Sequence, residues 1–391
     1  MEGCIAVLNA GSSSIKFAVY AAEREEPILF RGQVEKIGLA PHLKATNGAG
    51  EVVAERNWAG AEFDHKAATA EILKLGRELL GRRPVLAFGH RVVHGGTKFA
   101  APARIDSSVM AALAELVPLA PLHQPHNLAP IEFIAQAAPH IVQVACFDTA
   151  FHRTQPALAQ LFGLPREISD SGVRRYGFHG LSYDFIVSQL QRTDPAVAQS
   201  RLIIAHLGNG ASLCAVRDGK SIATTMGFTA IDGLVMGTRT GTLDPGVLLY
   251  LAEERGMGIG AITDLLYRKS GLLGVSGISS DMRTLRQSSA PQAAEAINLF
   301  VYRIVREIGS LAAALGGVDA LVFTAGIGEN DPLTRAEVAT GCRWLGLDLD
   351  VERNNRGDTR ISAKGSAVSA WMVPTDEERM IARYTYKVFA Q

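Results

Sequence analysis

The sequence predicts an α/β protein built from two duplicated domains, and three observations lead there. The first is a pattern that occurs twice. Residues 5–20 read I-A-V-L-N-A-G-S-S-S-I-K-F-A-V-Y, and residues 202–216 read L-I-I-A-H-L-G-N-G-A-S-L-C-A-V. Each is an apolar run, a tight polar turn and a second apolar run, which is a strand–hairpin–strand signature. The second observation is the alternation of strand-like and helix-like segments after an opening β meander, as in a mixed sheet with helices on it. The third is length: 391 residues exceed one core and suit two domains. Turns of this kind present backbone N–H groups and hydroxyls, the donor set that cradles phosphate. Each half is therefore expected to offer one phosphate-binding hairpin to a shared cleft, although Gly/Ser hairpins that hold nothing are common.

The elements follow in order. After the first hairpin, strands are expected at 28–34, 42–46 and 51–56, and a helix at 64–80 with Asp64 as N-cap and Gly81 past its end. A buried strand at 85–90 runs into the loop R-V-V-H-G-G at 91–96. Asp106 or Ser107 caps a helix to Val117. Pro118, Pro121 and Pro125 then enforce an irregular loop holding His123 and His126, and Asn127 opens another helix. The strand at 141–147 ends in Asp148. In the second half a helix at 182–191 precedes the second hairpin. The Gly/Thr-rich segment 226–245 is long for a compact domain, and such loops are usually functional. A long helix at 291–315 carries Ala293, Ile297, Phe300, Ile304, Ile308 and Leu311 on one face, a strand spans 318–324, and a last helix reaches Phe389. The domains are expected at 1–150 with about 380–391, and at 151–379, with a hinge near Ala150.

Composition excludes several classes. Hydrophobic residues make up 47% and charged residues 20%, which is globular. Lys+Arg and Asp+Glu are 39 each, so no broad basic surface for nucleic acid is expected. The four cysteines, Cys4, Cys146, Cys214 and Cys342, are far apart, which argues against a disulfide or zinc framework. Neither a signal peptide nor an apolar run of membrane-spanning length is seen, so the cytoplasm is the expected compartment.

The candidate chemistry is anionic. No G-x-x-x-x-G-K-[ST] motif is present. The glycine-rich run at 256–261 follows a helix and not a strand, which disqualifies it as a dinucleotide fingerprint. Arg91 and Arg239 lie in small-residue loops, where a guanidinium reaches a carboxylate or phosphate unobstructed. A surface ion pair is the plainer reading of each. His94, His123, His179 and His206 are read as loop residues without metal-site spacing. Asp148, just past a buried strand, points at a ligand by position. Glu377 and Glu378 suit the first turn of the last helix, where the dipole favours acid.

Together these residues resemble the acetate kinases, within the actin-like and sugar-kinase ATPase superfamily, from end to end. The motifs are L-N-A-G-S-S-S-I-K-F (8–17), G-H-R-V-V-H-G-G (89–96), A-P-L-H (120–123), F-D-T-A-F-H (147–152) and Y-G-F-H-G (176–180). H-L-G-N-G-A-S (206–212), M-G-T-R-T-G (236–241), T-A-G-I-G-E-N (324–330) and P-T-D-E-E (374–378) complete them. The resemblance implies two ribonuclease H-like (actin-like ATPase) domains around a central cleft. It implies ATP/ADP as co-substrate, with Asn9 and Glu377 holding Mg2+, which Mn2+ can replace. Lys16 and Ser12, with His206, Leu207, Gly208, Asn209 and Gly210, contact the nucleotide on this reading. Asp281, Met282 and Arg283, with Gly326, Ile327, Gly328, Glu329 and Asn330, surround the nucleoside. Arg91 binds the carboxylate, and Val93, Leu122 and Phe178 line the pocket for its alkyl end. His179 and Arg239 stabilise the transferring phosphoryl group, and Asp148 is the acid–base or positioning carboxylate. The resemblance also implies a homodimer, to which the 291–315 stripe contributes unless it is ordinary core. The implied reaction is reversible transfer from ATP to acetate, giving acetyl phosphate and ADP. The alternatives are a kinase for propionate or butyrate, or an actin-like ATPase switch.

The chain departs from the family pattern at Gln124 and Asp376 (commonly Asn), Leu181 to Tyr183 (commonly T-S-H), Ala230 (commonly Pro) and Thr242 (commonly Asp). None of these replaces the catalytic set. A simple carboxylic acid is already an anion at neutral pH. It needs no base; it needs its repulsion from the γ-phosphate neutralised, which favours direct in-line transfer with Asp148 as an orienting group.

Ala230 generates a first prediction. Exchanging a proline ring for a methyl group enlarges the expected pocket, and one methylene is worth roughly 1–3 kcal/mol of discrimination. Initial rates with acetate, propionate and butyrate should rank acetate first, propionate accepted and butyrate poor. Ala230→Pro should raise the acetate-to-propionate ratio, and an unchanged ratio would remove Ala230 from the pocket wall.

Overall fold

In the computed structural model, which describes residues 3–23, 26–59 and 62–391, the first apolar run becomes strand β1 (Cys4–Ala10), every residue of it buried. A strand is buried throughout only at the centre of a sheet covered on both faces. β1 pairs antiparallel with β2 (Ile15–Ala21), and the meander continues through β3 (Ile28–Glu35), β4 (His42–Asn47) and β5 (Val52–Asn57). On the other side of β1 lie β6 (Val85–Val92) and then β8 (Val142–Phe147), both parallel to it, with the short β7 (Ala103–Arg104) at the edge. The sheet order is β5-β4-β3-β2-β1-β6-β8-β7. This sheet belongs to one compact unit, Met1–Phe151 with Asp376–Gln391.

The other unit, His152–Thr375, repeats the scheme. β9 (Arg201–Leu207) and β10 (Ala211–Arg217) form the second hairpin, and β11 (Lys220–Thr224) extends it. β12 (Ala320–Thr324) and β13 (Ser369–Met372) add in parallel on the far side of β9, giving the order β11-β10-β9-β12-β13. The series β3-β2-β1-β6-β8 has the same connectivity: a hairpin with a third antiparallel strand, then two parallel strands. The duplication expected from the two hairpins is thus a duplication of sheet topology.

The helices obey their end signals. Asp64 caps His65–Leu80 by accepting from the Ala67 amide, and Gly81 closes it in the left-handed region. Ile72 and Leu75 of that helix pack with Leu8, Phe17, Phe30 and Phe88 in the first core. Pro291–Leu315 runs as one helix, with Ala293, Ile297, Phe300, Ile304, Ile308 and Leu311 all buried within its own unit. That stripe is core and is not available to a partner subunit. The four cysteines are buried and free. No described helix is long and apolar enough to cross a membrane.

Three local expectations change. The loop ascribed to three prolines is shorter than expected, because the next helix, Gln124–Ala137, already starts at Gln124. Pro125 falls in its first turn, where an amide would be unpaired anyway. The glycine-containing run 326–330, for which a turn is expected from the sequence, is a short helix, Ala325–Asn330, entered directly from β12. The chain returns to the first unit at Asp376, a few residues before the boundary near 380, because the whole helix Glu377–Phe389 packs on the first sheet.

That packing depends on Gly89 in β6. A Cβ there would stand 2.2 Å from Thr385 Oγ1 and 2.6 Å from Ile381 Cγ2. Gly89→Ala should lower stability by about 1–3 kcal/mol, the usual cost of overpacking. Urea unfolding measures it, and a variant as stable as the parent would show that the helix can shift without loss.

Candidate active site

In the first unit, polar residues gather where the buried strands end. Arg91 lies near the end of β6 and Asp148 just past β8. Arg91 donates through Nε and Nη2 to Asp148 Oδ2, at 3.0 and 2.6 Å, and its Nη1 reaches toward Asn9 Oδ1 at 3.4 Å. Asp148 is fully buried. Burial pushes its carboxyl up, and the guanidinium works against that push. The two bonds from Arg91 to Oδ2 fix the carboxylate and the guanidinium in one plane of contact. The helix Glu377–Phe389 then adds acid. Asp376 caps it and accepts from Tyr20 Oη at 3.2 Å, and Glu378 Oε1 accepts from Asn9 Nδ2 at 3.0 Å. Glu377, shielded from water and repelled by Asp148 and Glu378, is pushed up to about 7 despite Arg91 and Lys16.

The structure thus joins Asn9, Arg91, Asp148 and Glu377 in one cluster, and adds Glu378, which the sequence leaves as an ordinary helix acid. Lys16 lies directly across the hairpin from Asn9, beside this cluster. Ser12 is exposed in the turn. Val93 is buried; its amide donates to Asn127 Oδ1, while Asn127 Nδ2 donates to the Ala10 carbonyl. Leu122 is half-buried nearby in sequence to Gln124. Gln124 accepts from the His94 amide and donates to the carbonyls of His94 and Leu113, so its side chain ties the 91–96 loop to the helix Ser107–Ala114.

The cluster is rich in acid: the carboxyls of Asp148, Glu377 and Glu378 meet one guanidinium and one ammonium, and burial with mutual repulsion keeps Glu377 partly protonated near neutral pH. No group of three or more His, Cys, Asp or Glu among the described residues could hold a metal alone. A divalent cation that keeps most of its ligands as water and phosphate fits that donor set, with Asn9 and Glu377 at hand.

In the second unit His179 initiates the helix Gly180–Thr193 from the left-handed region, at φ 58°. Its ring stacks on His206, with centroids 4.1 Å apart, and its Nδ1 lies 2.9 Å from Ser212 Oγ. His206 Nδ1 is 2.9 Å from Ser182 Oγ, which meets Thr375 Oγ1. The hairpin turn Gly208-Asn209-Gly210 lies beside them. A Cβ on Gly210 would be 3.2 Å from His179 Nε2 and 3.7 Å from Arg239 Nη1, so the bare glycine is the floor on which these two groups converge. Arg239 Nη1 donates to the Ala230 carbonyl at 3.0 Å. The Gly/Thr-rich loop is firmly held: the Gly237 amide donates to the Asn209 carbonyl, and Thr238 and Thr240 bond to the carbonyls of Tyr267 and Leu266. Asp232 joins Thr242 and Arg175. Phe178 is buried, and its carbonyl pairs with His152 Nε2.

A cavity of about 760 Å³ opens beside the hairpin, lined by Gly208, Asn209, Asp281, Met282, Arg283, Gly326, Ile327 and Asn330 among the expected residues. Arg286, Gln287, Pro332 and Leu333 also line it, and no sequence motif flags them. Asp281 caps the helix Met282–Gln287 and pairs with Arg283. Gly328 and Glu329 are not in its wall. Glu329 Oε1 accepts from the amides of Ala325 and Thr375, so its carboxylate braces the backbone. The buried Arg335 clamps the carbonyls of Gly328 and Glu329. Leu207 is core, with only its backbone available.

The chain matches the acetokinase family model over residues 4–383. It is 52% identical over 394 residues to an acetate kinase of Rhodopseudomonas palustris strain TIE-1, covering 99% of each. It is 48% identical over 381 residues to an acetate kinase of Rhizobium meliloti, covering 97% of this chain and 96% of the other. Among solved structures it resembles Porphyromonas gingivalis acetate kinase, at 39% identity, TM-score 0.88 and 100% of each chain. A propionate kinase from Francisella tularensis matches at 35% identity and TM-score 0.91, over 98% of this chain and 99% of that one.

Glu377 generates a pH prediction. Its folded pKa, about 7, lies above the ordinary 4.5, so between those values the folded state holds more proton than the unfolded. Stability of metal-free protein should fall as pH rises through that window, by roughly 3 kcal/mol. Glu377→Gln should flatten the profile. Denaturant midpoints in chelator across the window measure it, and an equally steep profile in the variant would assign the loss elsewhere.

Proposed function

We infer the reaction from the family: this chain belongs to the acetokinase family, and its activity is reversible phosphoryl transfer between ATP and acetate, giving acetyl phosphate and ADP. The observation that carries the mechanism is the convergence of His179 Nε2 and Arg239 on the side-chain-free Gly210. Two hydrogen-bonding groups over a bare backbone turn form a cradle for the equatorial oxygens of a transferring phosphoryl group, where charge accumulates in the transition state. The cavity beside Gly208 and Asn209 is our assignment for the nucleoside.

On the acceptor side, Arg91 would neutralise the substrate carboxylate through Nη1, the edge that Asp148 leaves open. Asp148 then orients Arg91, and the acetate anion attacks in line without a base. Bound Mg2+, near Asn9 and Glu377, would offset the negative charge of the phosphates. Glu378 would hold the Asn9 amide so that Asn9 Oδ1 keeps its direction. Val93, Leu122 and Phe178 are proposed to limit the alkyl end. A homodimer is proposed by family likeness, and light scattering reads it directly.

The direct test is formation of acetyl phosphate from ATP and acetate, trapped as the hydroxamate. Arg239→Ala should lower kcat by on the order of 10³, as removal of an arginine finger does. Arg91→Ala should chiefly raise the KM for acetate. Near-normal kcat in folded Arg239→Ala, or an unchanged KM in Arg91→Ala, would remove that residue from its role. ATP hydrolysis indifferent to acetate would favour the switch reading.

A further inference from the structure

We propose that Tyr183 is a positioning residue that fixes the proton of His179 on Nε2, acting through Ser212. Tyr183 lies on the helix that His179 initiates, fully buried, and its hydroxyl is hydrogen-bonded to Ser212 Oγ. Ser212 Oγ is in turn 2.9 Å from His179 Nδ1. Ser212 is buried in β10, directly opposite His206 in the register, so neither end of the relay is free to drift. The direction of the bonds follows from acidity. A phenol, with an ordinary pKa of about 10, is a far better donor than an aliphatic hydroxyl. Tyr183 therefore donates to Ser212, Ser212 donates to His179 Nδ1, and the imidazole proton is left on Nε2, the nitrogen beside Gly210 and Arg239. Burial also keeps Tyr183 a neutral phenol. The opposite tautomer would aim a lone pair at phosphoryl oxygens. The stacked His206 ring supports the neutral form, since two stacked imidazolium rings repel. This inference rests on the kinase reading for the role of Nε2, but the tautomer itself does not.

The test uses the full chain labelled with 15N at histidine, with the His179 signals identified by their loss in His179→Gln. Imidazole 15N–1H correlation should show the parent in the Nε2–H form at neutral pH. In Tyr183→Phe the serine is free to reverse, so a mixture of tautomers is expected. Its kcat should fall about tenfold, within the range for loss of one positioned proton donor, with KM for acetate and for ATP within about twofold. Ser212→Ala should show at least the same loss, and Tyr183→His, which restores a donor, should recover activity relative to Tyr183→Phe. Circular dichroism and unchanged nucleotide binding establish that each variant is folded. An Nδ1–H parent would overturn the proposal, and so would Tyr183→Phe with both tautomer and kcat unchanged. If the parent forms no acetyl phosphate, the kinase reading fails while the tautomer spectrum still decides the relay.

Discussion

A strand buried on both faces has only its ends available for chemistry. β1, β6 and β8 in one unit, and β9 and β12 in the other, are almost wholly apolar because helices cover both sides of each sheet. Apart from the buried His90–Gln143 pair, whose members satisfy each other inside the sheet, the polar groups of these strands gather at the strand ends or in the residue beyond. Asn9, Arg91 and Asp148 occupy such positions in the first sheet, as do His206 and Thr324 in the second. Parallel neighbours end on the same side, so residues far apart in the chain arrive together as a by-product of core packing. The same rule that makes the strands hydrophobic makes the cluster.

Charge then decides what those termini can hold. In the first unit the acids outnumber the bases, and the imbalance is maintained by burial and by the helix that delivers Glu377 and Glu378. In the second unit the balance is reversed: an arginine, two stacked imidazoles and a turn of bare backbone leave a surface that is short of anions. One cluster is built around a tethered guanidinium that a carboxylate keeps in place. The other is built around hydroxyl-bonded imidazoles. Both rely on neighbours that hold the working group and take no part in the chemistry.

Much of this was legible in the sequence, for reasons that differ from residue to residue. The two hairpins announced the duplicated topology because apolar runs and Gly/Ser turns are local signals. Asp64, Gly81 and Pro291 marked helix ends for the same reason. Arg239 and Asp148 stood out through their surroundings, small residues in one case and a buried strand in the other. Gln124 as a helix start was hidden by a cluster of prolines whose effect depends on which turn they occupy. Glu329 read as a contact residue because its motif is contiguous, but its carboxylate points back to the Ala325 and Thr375 amides. Ser212 showed only as the end of the second hairpin motif and Tyr183 only as a departure from the family pattern, and neither signalled a link to His179. Their meaning lies in a contact between segments that no spacing encodes.

The helix Glu377–Phe389 covers one face of the first sheet, yet the whole of 152–375 lies between it and the strands it covers. On the ribosome, that sheet emerges with β6 bare at Gly89 and waits through the synthesis of an entire second unit before its cover exists. The first unit is thus the earliest to begin and the last to be finished. Until the final helix docks, apolar strand faces stay accessible to other nascent chains or to chaperones, and neither Glu377 nor Glu378 is present to complete the acidic cluster. Translation order makes the enzyme competent only in its closing stage, so a chain released early is left with a half-covered sheet and not with a partly active kinase.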